Sequence, residues 1–163
     1  PQRGTASLRR IRRTRMMKTI VTGLLVLLLP LWVAAADKNE VRVVDAWARA
    51  VPAVAPVAGG FLTVVNMGNA TDRLPRVESP IAKRIEIHEM RNDGGVMRMR
   101  QITDGLIVPA HGQLEFKPGS YHLMLIGPTR ALIEGDHFEA ALVFQRAGKV
   151  KVTFAVRGIG AGG

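Results

Sequence analysis

The alternation of apolar and polar residues predicts a series of short β-strands from residue 37 onward. Apolar or β-branched segments bounded by Gly, Pro, Asn or Asp recur at short spacings, among them VRVVDAWARA (41–50), FLTVVN (61–66) and KVKVTFAV (149–156). No window of about 11 residues or more combines a helical period with helix caps. About seven to nine strands at this spacing predict an all-β domain, an antiparallel Greek-key sandwich or barrel.

The N-terminal region differs from the rest of the chain in composition. Residues 1–18 carry seven Arg or Lys and no acidic residue, and an apolar run follows at 19–36. This order predicts that 1–36 is a basic extension with a secretory signal peptide, with an uncleaved membrane anchor as the alternative. We then expect a periplasmic domain at 37–157, followed by a flexible tail at 158–163.

The formal charge of +10 reflects mainly this N-terminal region. Without its seven basic residues, 16 of the 23 Lys and Arg remain, against 13 Asp and Glu. The exported domain therefore lacks the clustered positive charge of a nucleic-acid-binding protein, and we expect no nucleic-acid partner. The chain has no cysteine, which excludes thiolate catalysis and a blue-copper electron-transfer site within this sequence.

Candidate chemistry lies in the segment EIHEMRNDGGVMRMR (86–100). Side chains alternate between the two faces of a strand, so Glu86, His88 and Met90 share one face while Ile85 and Ile87 point to the core. No Ser or carboxylate of the chain stands in a recognisable catalytic arrangement. This supports a binding protein and not an enzyme.

The turn in this segment sets which side chains meet. Met97 and Met99 share one face of the second strand, and Asp93-Gly94 favours a two-residue type I′ turn. That turn predicts that His88 lies opposite Met99 and that Met90 lies opposite Met97. Directly opposed Cβ atoms are about 4.5 to 5.5 Å apart, so an imidazole and a thioether would converge on one ion.

A second segment, YHLMLIG (121–127), repeats the combination. His122 and Met124 share the face opposite Tyr121, Leu123 and Leu125. A single methionine is usually core filler and a single histidine is usually a surface residue, but two His-plus-Met sets in one domain are a more specific pattern. Neutral imidazole and soft thioether donors suit Cu(I).

At these residues the chain resembles the periplasmic copper chaperones of the PCuAC family. The family pattern is His, ten residues, Met, about twenty-one residues, then His-x-Met; here the second gap is 22 residues. DAWARA and KPGSYHLMLIG are also similar to the family. The resemblance implies a cupredoxin-like fold and Cu(I) bound by His88, Met99, His122 and Met124. Met90 and Met97 are possible auxiliary residues, as cover that excludes water or as a transfer track.

The resemblance also implies a partner. It predicts a monomeric periplasmic carrier that delivers Cu(I) for cytochrome c oxidase assembly, through a thiol-bearing assembly factor or to the copper-accepting oxidase subunit. Contact with a membrane is expected only through the N-terminal segment, if it is not cleaved. The alternative is an exported β-sandwich interaction or adhesion module without a metal role, whose methionine-rich hairpin is a contact surface.

Overall fold

The computed structural model describes residues 40–162. This part of the chain forms eleven strands: β1 (Val41–Arg49), β2 (Val57–Asn66), β3 (Asp72–Leu74), β4 (Arg76–Glu78), β5 (Ala82–Asp93), β6 (Val96–Gln101), β7 (Leu106–Val108), β8 (Gln113–Phe116), β9 (Tyr121–Pro128), β10 (His137–Val143) and β11 (Lys149–Arg157). The predicted signal or anchor lies outside the described residues. Within 40–162, no helix is long and apolar enough to cross a membrane.

Most strands belong to one sheet with the order β4-β10-β11-β1-β2-β9-β5-β6, and β8 also pairs with β2. The short strands β3 and β7 form a separate antiparallel pair. The all-β fold class is confirmed. Two details differ from the expectation: β1 and β11 run parallel, and short strands of three residues such as β3 and β4 raise the strand number. A strand of three residues is too short to show an alternation that can be read from sequence.

Alternate residues of the long strands build a single hydrophobic core. Leu123 and Leu125 of β9, Ile87 of β5 and Phe154 of β11 are among its buried members. Because side chains alternate between the two faces of a strand, the intervening side chains of β5 and β9 lie on the other face of the sheet. The core thus fixes the face on which the candidate donors lie.

The hairpin between β5 and β6 has a different register from the one expected. Its turn residues are Gly94 and Gly95, with φ of 61° and 88°, so that Asp93 pairs with Val96. A type I′ turn needs positive φ at both central residues, and two glycines meet this need without strain, whereas an Asp93-Gly94 turn would place aspartate in the left-handed region. The predicted pairings of His88 with Met99 and of Met90 with Met97 are therefore wrong by two residues.

The C-terminal residues fold back onto the domain. Residues 159–162 form turns, and the Arg49 guanidinium donates a hydrogen bond of 2.8 Å to the Ala161 carbonyl. The flexibility expected for this tail stays a prediction.

Candidate metal centre

Two histidines from strands distant in sequence lie side by side on one face of the sheet. His88 of β5 and His122 of β9 are direct cross-strand partners. Their ring centroids are 5.7 Å apart, and the ring planes are tilted by 57°. The direction of each histidine side chain follows from that of the residue next to it. Ile87 and Leu123 point into the core and are buried, so the adjacent histidines point to the other face of the sheet.

His122 is held as a neutral imidazole. It is buried, and its Nδ1 donates a hydrogen bond of 3.1 Å to the Ser120 carbonyl. Burial lowers the pKa of His122, the Ser120 carbonyl acts in the opposite direction, and the neighbouring His88 lowers it further. Because the proton is on Nδ1, Nε2 carries the lone pair that a metal ion needs.

The His88 ring is fixed by a carboxylate. Its Nε2 lies 2.8 Å from Oε2 of Glu86, and Oε1 of Glu86 accepts a hydrogen bond of 2.8 Å from Nε of Arg84. The Arg84 guanidinium, and after it His88, hold the pKa of the Glu86 carboxyl below its usual value. The other nitrogen of His88, Nδ1, is buried and has no hydrogen-bond partner among residues 40–162.

Glu86 was not among the residues that the sequence singled out as part of the site. Alternation does place it on the same face as His88, two residues away in one strand, and this was the available signal. The expected donor set contained no carboxylate, so the significance of Glu86 emerged only from the ion pairs of the folded strand.

Two methionines, Met90 and Met124, each lie two residues from one of the histidines on the same strand. Met124 is the cross-strand partner of Glu86, two residue pairs away from the histidines. Met90, His122 and Met124 line an open cavity of about 420 Å³, together with Gly59 and Phe61 of β2. The structure therefore brings an imidazole and two thioethers to a solvent-accessible cavity.

The two methionines of β6 lie farther out. His88 faces Gln101, whereas Met99 faces Met90. Met99 is therefore a diagonal neighbour of His88, at a typical separation of about 7–8 Å that a long side chain can bridge, and 48% of its surface is exposed. Met97 lies opposite Asn92, two pairs nearer the turn. The shift by two residues keeps both methionines on the expected face.

The remaining histidines lie elsewhere. His111 occupies the loop between β7 and β8, where its Nε2 lies 2.8 Å from Oδ1 of Asn69, and His137 is an exposed residue at the start of β10. In the described part of the chain, no cluster of three or more His, Asp or Glu side chains could by itself hold a metal ion.

The profile of a family described as "Putative lipoprotein LpqE-like" matches residues 41–156. "Uncharacterized protein RP573" of Rickettsia prowazekii is 33% identical over 84 residues, which are 52% of this chain and 46% of that protein. "Putative lipoprotein Lxx21020" of Leifsonia xyli is 28% identical over 119 residues, 73% of this chain and 70% of that protein. The chain thus spans less than half of the Rickettsia relative.

The fold is similar to that of solved PCuAC domains. The copper-bound PCuAC domain from PmoF2 has a TM-score of 0.61 at 24% identity, covering 74% of this chain and 94% of that domain. Apo-DR1885 from Deinococcus radiodurans has a TM-score of 0.58 at 20% identity, covering 97% of this chain and 96% of that one. At these identities the likeness establishes the fold, and it confirms the cupredoxin-like architecture that the motif implied.

Proposed function

The chain belongs to the LpqE-like family, and from this premise we propose that it is a carrier of Cu(I) and not an enzyme. The observation that carries the proposal is the pairing of His88 with His122, with ring centroids 5.7 Å apart, beside a cavity lined by the side chain of Met124. The solved domains of similar fold include one described as copper-bound and one described as CuI-DR1885. We extend that ligand to this chain on the basis of its own side chains.

The proposed donors are His88, Met99, His122 and Met124. Burial keeps His122 neutral, and the thioethers carry no charge. Cu(I) accepts soft sulfur donors and imidazole, whereas Mg²⁺ and Ca²⁺ prefer oxygen. The buried Nδ1 of His88, which lacks a partner in residues 40–162, fits a donor atom that a metal ion would satisfy.

Met90 and Met97 are proposed as auxiliary residues. Met90 lies in the cavity wall beside His122 and shields that side of the site from water. Met97 is 52% exposed near the end of the hairpin, where a thioether is accessible to an incoming protein and could take part in transfer.

Neutral donors also favour release of the ion. A thiolate is a stronger soft ligand than a thioether, so a cysteine-bearing acceptor would displace an exposed methionine such as Met99 and draw the Cu(I) away. We propose that the protein acts in the periplasm and that its acceptors are a thiol-bearing assembly factor or the copper-accepting subunit of cytochrome c oxidase, the destination implied by the PCuAC resemblance.

Anaerobic titration of the purified full chain with Cu(I) in the presence of bicinchoninate tests the proposal. We expect one tightly held Cu(I) per chain and X-ray absorption showing both nitrogen and sulfur neighbours, while Zn²⁺ at the same concentration binds more weakly. A stoichiometry far below one would refute the carrier function and favour the adhesion module.

Transfer needs a separate measurement. Mixing the Cu(I)-loaded protein with a peptide that contains two cysteines should move the ion to the peptide, as detected by thiolate-to-copper absorption and by separation of the two species. Retention of all copper by the protein in the presence of excess peptide would identify a storage protein instead.

A further inference from the structure

We propose that Glu86 is a positioning residue that fixes the tautomer of His88, so that His88 binds the metal through Nδ1 while His122 binds through Nε2. The part of this inference that concerns metal binding rests on the proposed Cu(I) function. The orientation of the free protein's His88 ring can be tested without any metal.

The hydrogen bond between Glu86 and His88 has one possible donor. Oε1 of Glu86 accepts a hydrogen bond of 2.8 Å from Nε of Arg84, and a carboxylate in such an ion pair can only accept hydrogen bonds. Nε2 of His88 lies 2.8 Å from its Oε2. The proton in this contact therefore belongs to Nε2.

The other nitrogen of the His88 ring carries the lone pair. A neutral imidazole protonated at Nε2 has its lone pair at Nδ1. Nδ1 of His88 is buried without a partner in residues 40–162, and a proton on this atom would be an unsatisfied buried donor, which is unfavourable. The environment thus selects the tautomer whose free lone pair is on Nδ1.

The arrangement at His122 is complementary to that at His88. There Nδ1 donates to the Ser120 carbonyl, which leaves Nε2 as the donor atom for a metal. Metal-binding histidines almost always donate their other N–H to a carboxylate or a backbone carbonyl, which fixes the ring orientation and raises its basicity. Glu86 and the Ser120 carbonyl are one example of each type of partner, on neighbouring strands.

The Glu86 carboxylate is itself held in place. Arg84 binds the second oxygen of Glu86, and the Glu86 side chain is only 17% exposed. Glu89 offers a matched comparison on the same strand: its side chain is 16% exposed and pairs with Arg100 at 2.8 Å. Glu89 points to the opposite face, because it is an odd number of residues from Glu86.

The first experiment measures tautomers in the metal-free protein by long-range ¹H–¹⁵N correlation NMR. In the wild type we expect a proton on Nε2 of His88 and on Nδ1 of His122. Glu86→Ala should give a mixture of tautomers at His88 alone, and Glu89→Ala should change neither ring. A protonated Nδ1 at His88 in the wild type would overturn the inference.

The second experiment loads the same proteins with Cu(I), which is diamagnetic and leaves the spectra readable. The ¹⁵N shift of His88 should change most at Nδ1 and that of His122 at Nε2. Glu86→Ala should lower Cu(I) affinity by about 10- to 100-fold, the usual loss when the hydrogen-bond partner of a metal-binding group is removed. Glu89→Ala should bind like the wild type.

The outcomes separate the two proposals. If the wild type binds one Cu(I) but Glu86→Ala has unchanged tautomers and affinity, the role of Glu86 is refuted and the carrier function stands. If the wild type binds no Cu(I) while the metal-free spectra agree with expectation, the carrier function is refuted and the orienting role of Glu86 stands.

Discussion

His88 and His122 are direct partners across β5 and β9, and this register holds the two imidazoles at a centroid distance of 5.7 Å. The pairing involves residues far apart in the chain, so it depends on the folded sheet and not on the local hairpin. A rigid pair of rings at the centre with longer, flexible methionines around it suits a site that must both hold and release a soft ion.

Met124 is expected to contribute a thioether to this site. Met124→Leu preserves the volume of the side chain, a change that usually costs less than about 1.5 kcal/mol of folding stability, but removes the sulfur. We expect Cu(I) affinity to fall at least about tenfold, since sulfur is the preferred donor type, with an unchanged circular dichroism spectrum. Competition with bicinchoninate measures the affinity.

Met67→Leu is the matched control for that substitution. Met67 is 42% exposed and lies in the loop that follows β2, away from both histidines. Its replacement should leave Cu(I) affinity unaltered. Equal affinity of the Met124→Leu and Met67→Leu proteins would remove Met124 from the donor set.

The roles of Met90 and Met99 can be separated in the same way. The two are cross-strand partners, but the PCuAC motif selects Met99, whereas Met90 is the one that lines the cavity with His122. We expect Met99→Leu to weaken Cu(I) binding more than Met90→Leu, with a sulfur neighbour lost from the X-ray absorption spectrum only in the former. The reverse order would identify Met90 as the fourth donor.

Much of the site was predictable because strand alternation is strict. Once Ile87 and Leu123 were assigned to the core, the faces of His88 and His122 followed, and both assignments agree with the structure. The direct pairing of these two rings was not predictable, since it depends on the register between β5 and β9, which a local pattern does not encode.

The prediction of the hairpin register was wrong for a physical reason of its own. Asp93-Gly94 and Gly94-Gly95 are both acceptable type I′ turns, and the sequence around them does not discriminate, because a shift of two residues keeps every side chain on its face. The role of Glu86 was missed since its importance comes from its contacts with Arg84 and His88, which only the folded strand displays.

The assignment of strand faces makes a stability prediction. Ile87 is 3% exposed and Ile107 of β7 is 53% exposed. Ile87→Ala should reduce the free energy of unfolding by about 2–5 kcal/mol through loss of burial and creation of a cavity, whereas Ile107→Ala should change it far less. Urea denaturation followed by fluorescence measures both. Similar losses for the two variants would mean that the core face of β5 is misassigned.

The hairpin register makes the most discriminating prediction. Gly95 has a φ of 88°, and a Cβ added there would meet no atom within 4 Å, so substitution is penalised by backbone strain alone. Gly95→Val should destabilise the hairpin by about 1–2 kcal/mol, seen as faster amide hydrogen exchange in β6, while Gly95→Asn should cost less because asparagine tolerates the left-handed region. In the Asp93-Gly94 register, residue 95 would be an extended strand position where valine is favourable. Slower exchange in Gly95→Val than in Gly95→Asn would therefore contradict the Gly94-Gly95 turn and restore the pairing of His88 with Met99.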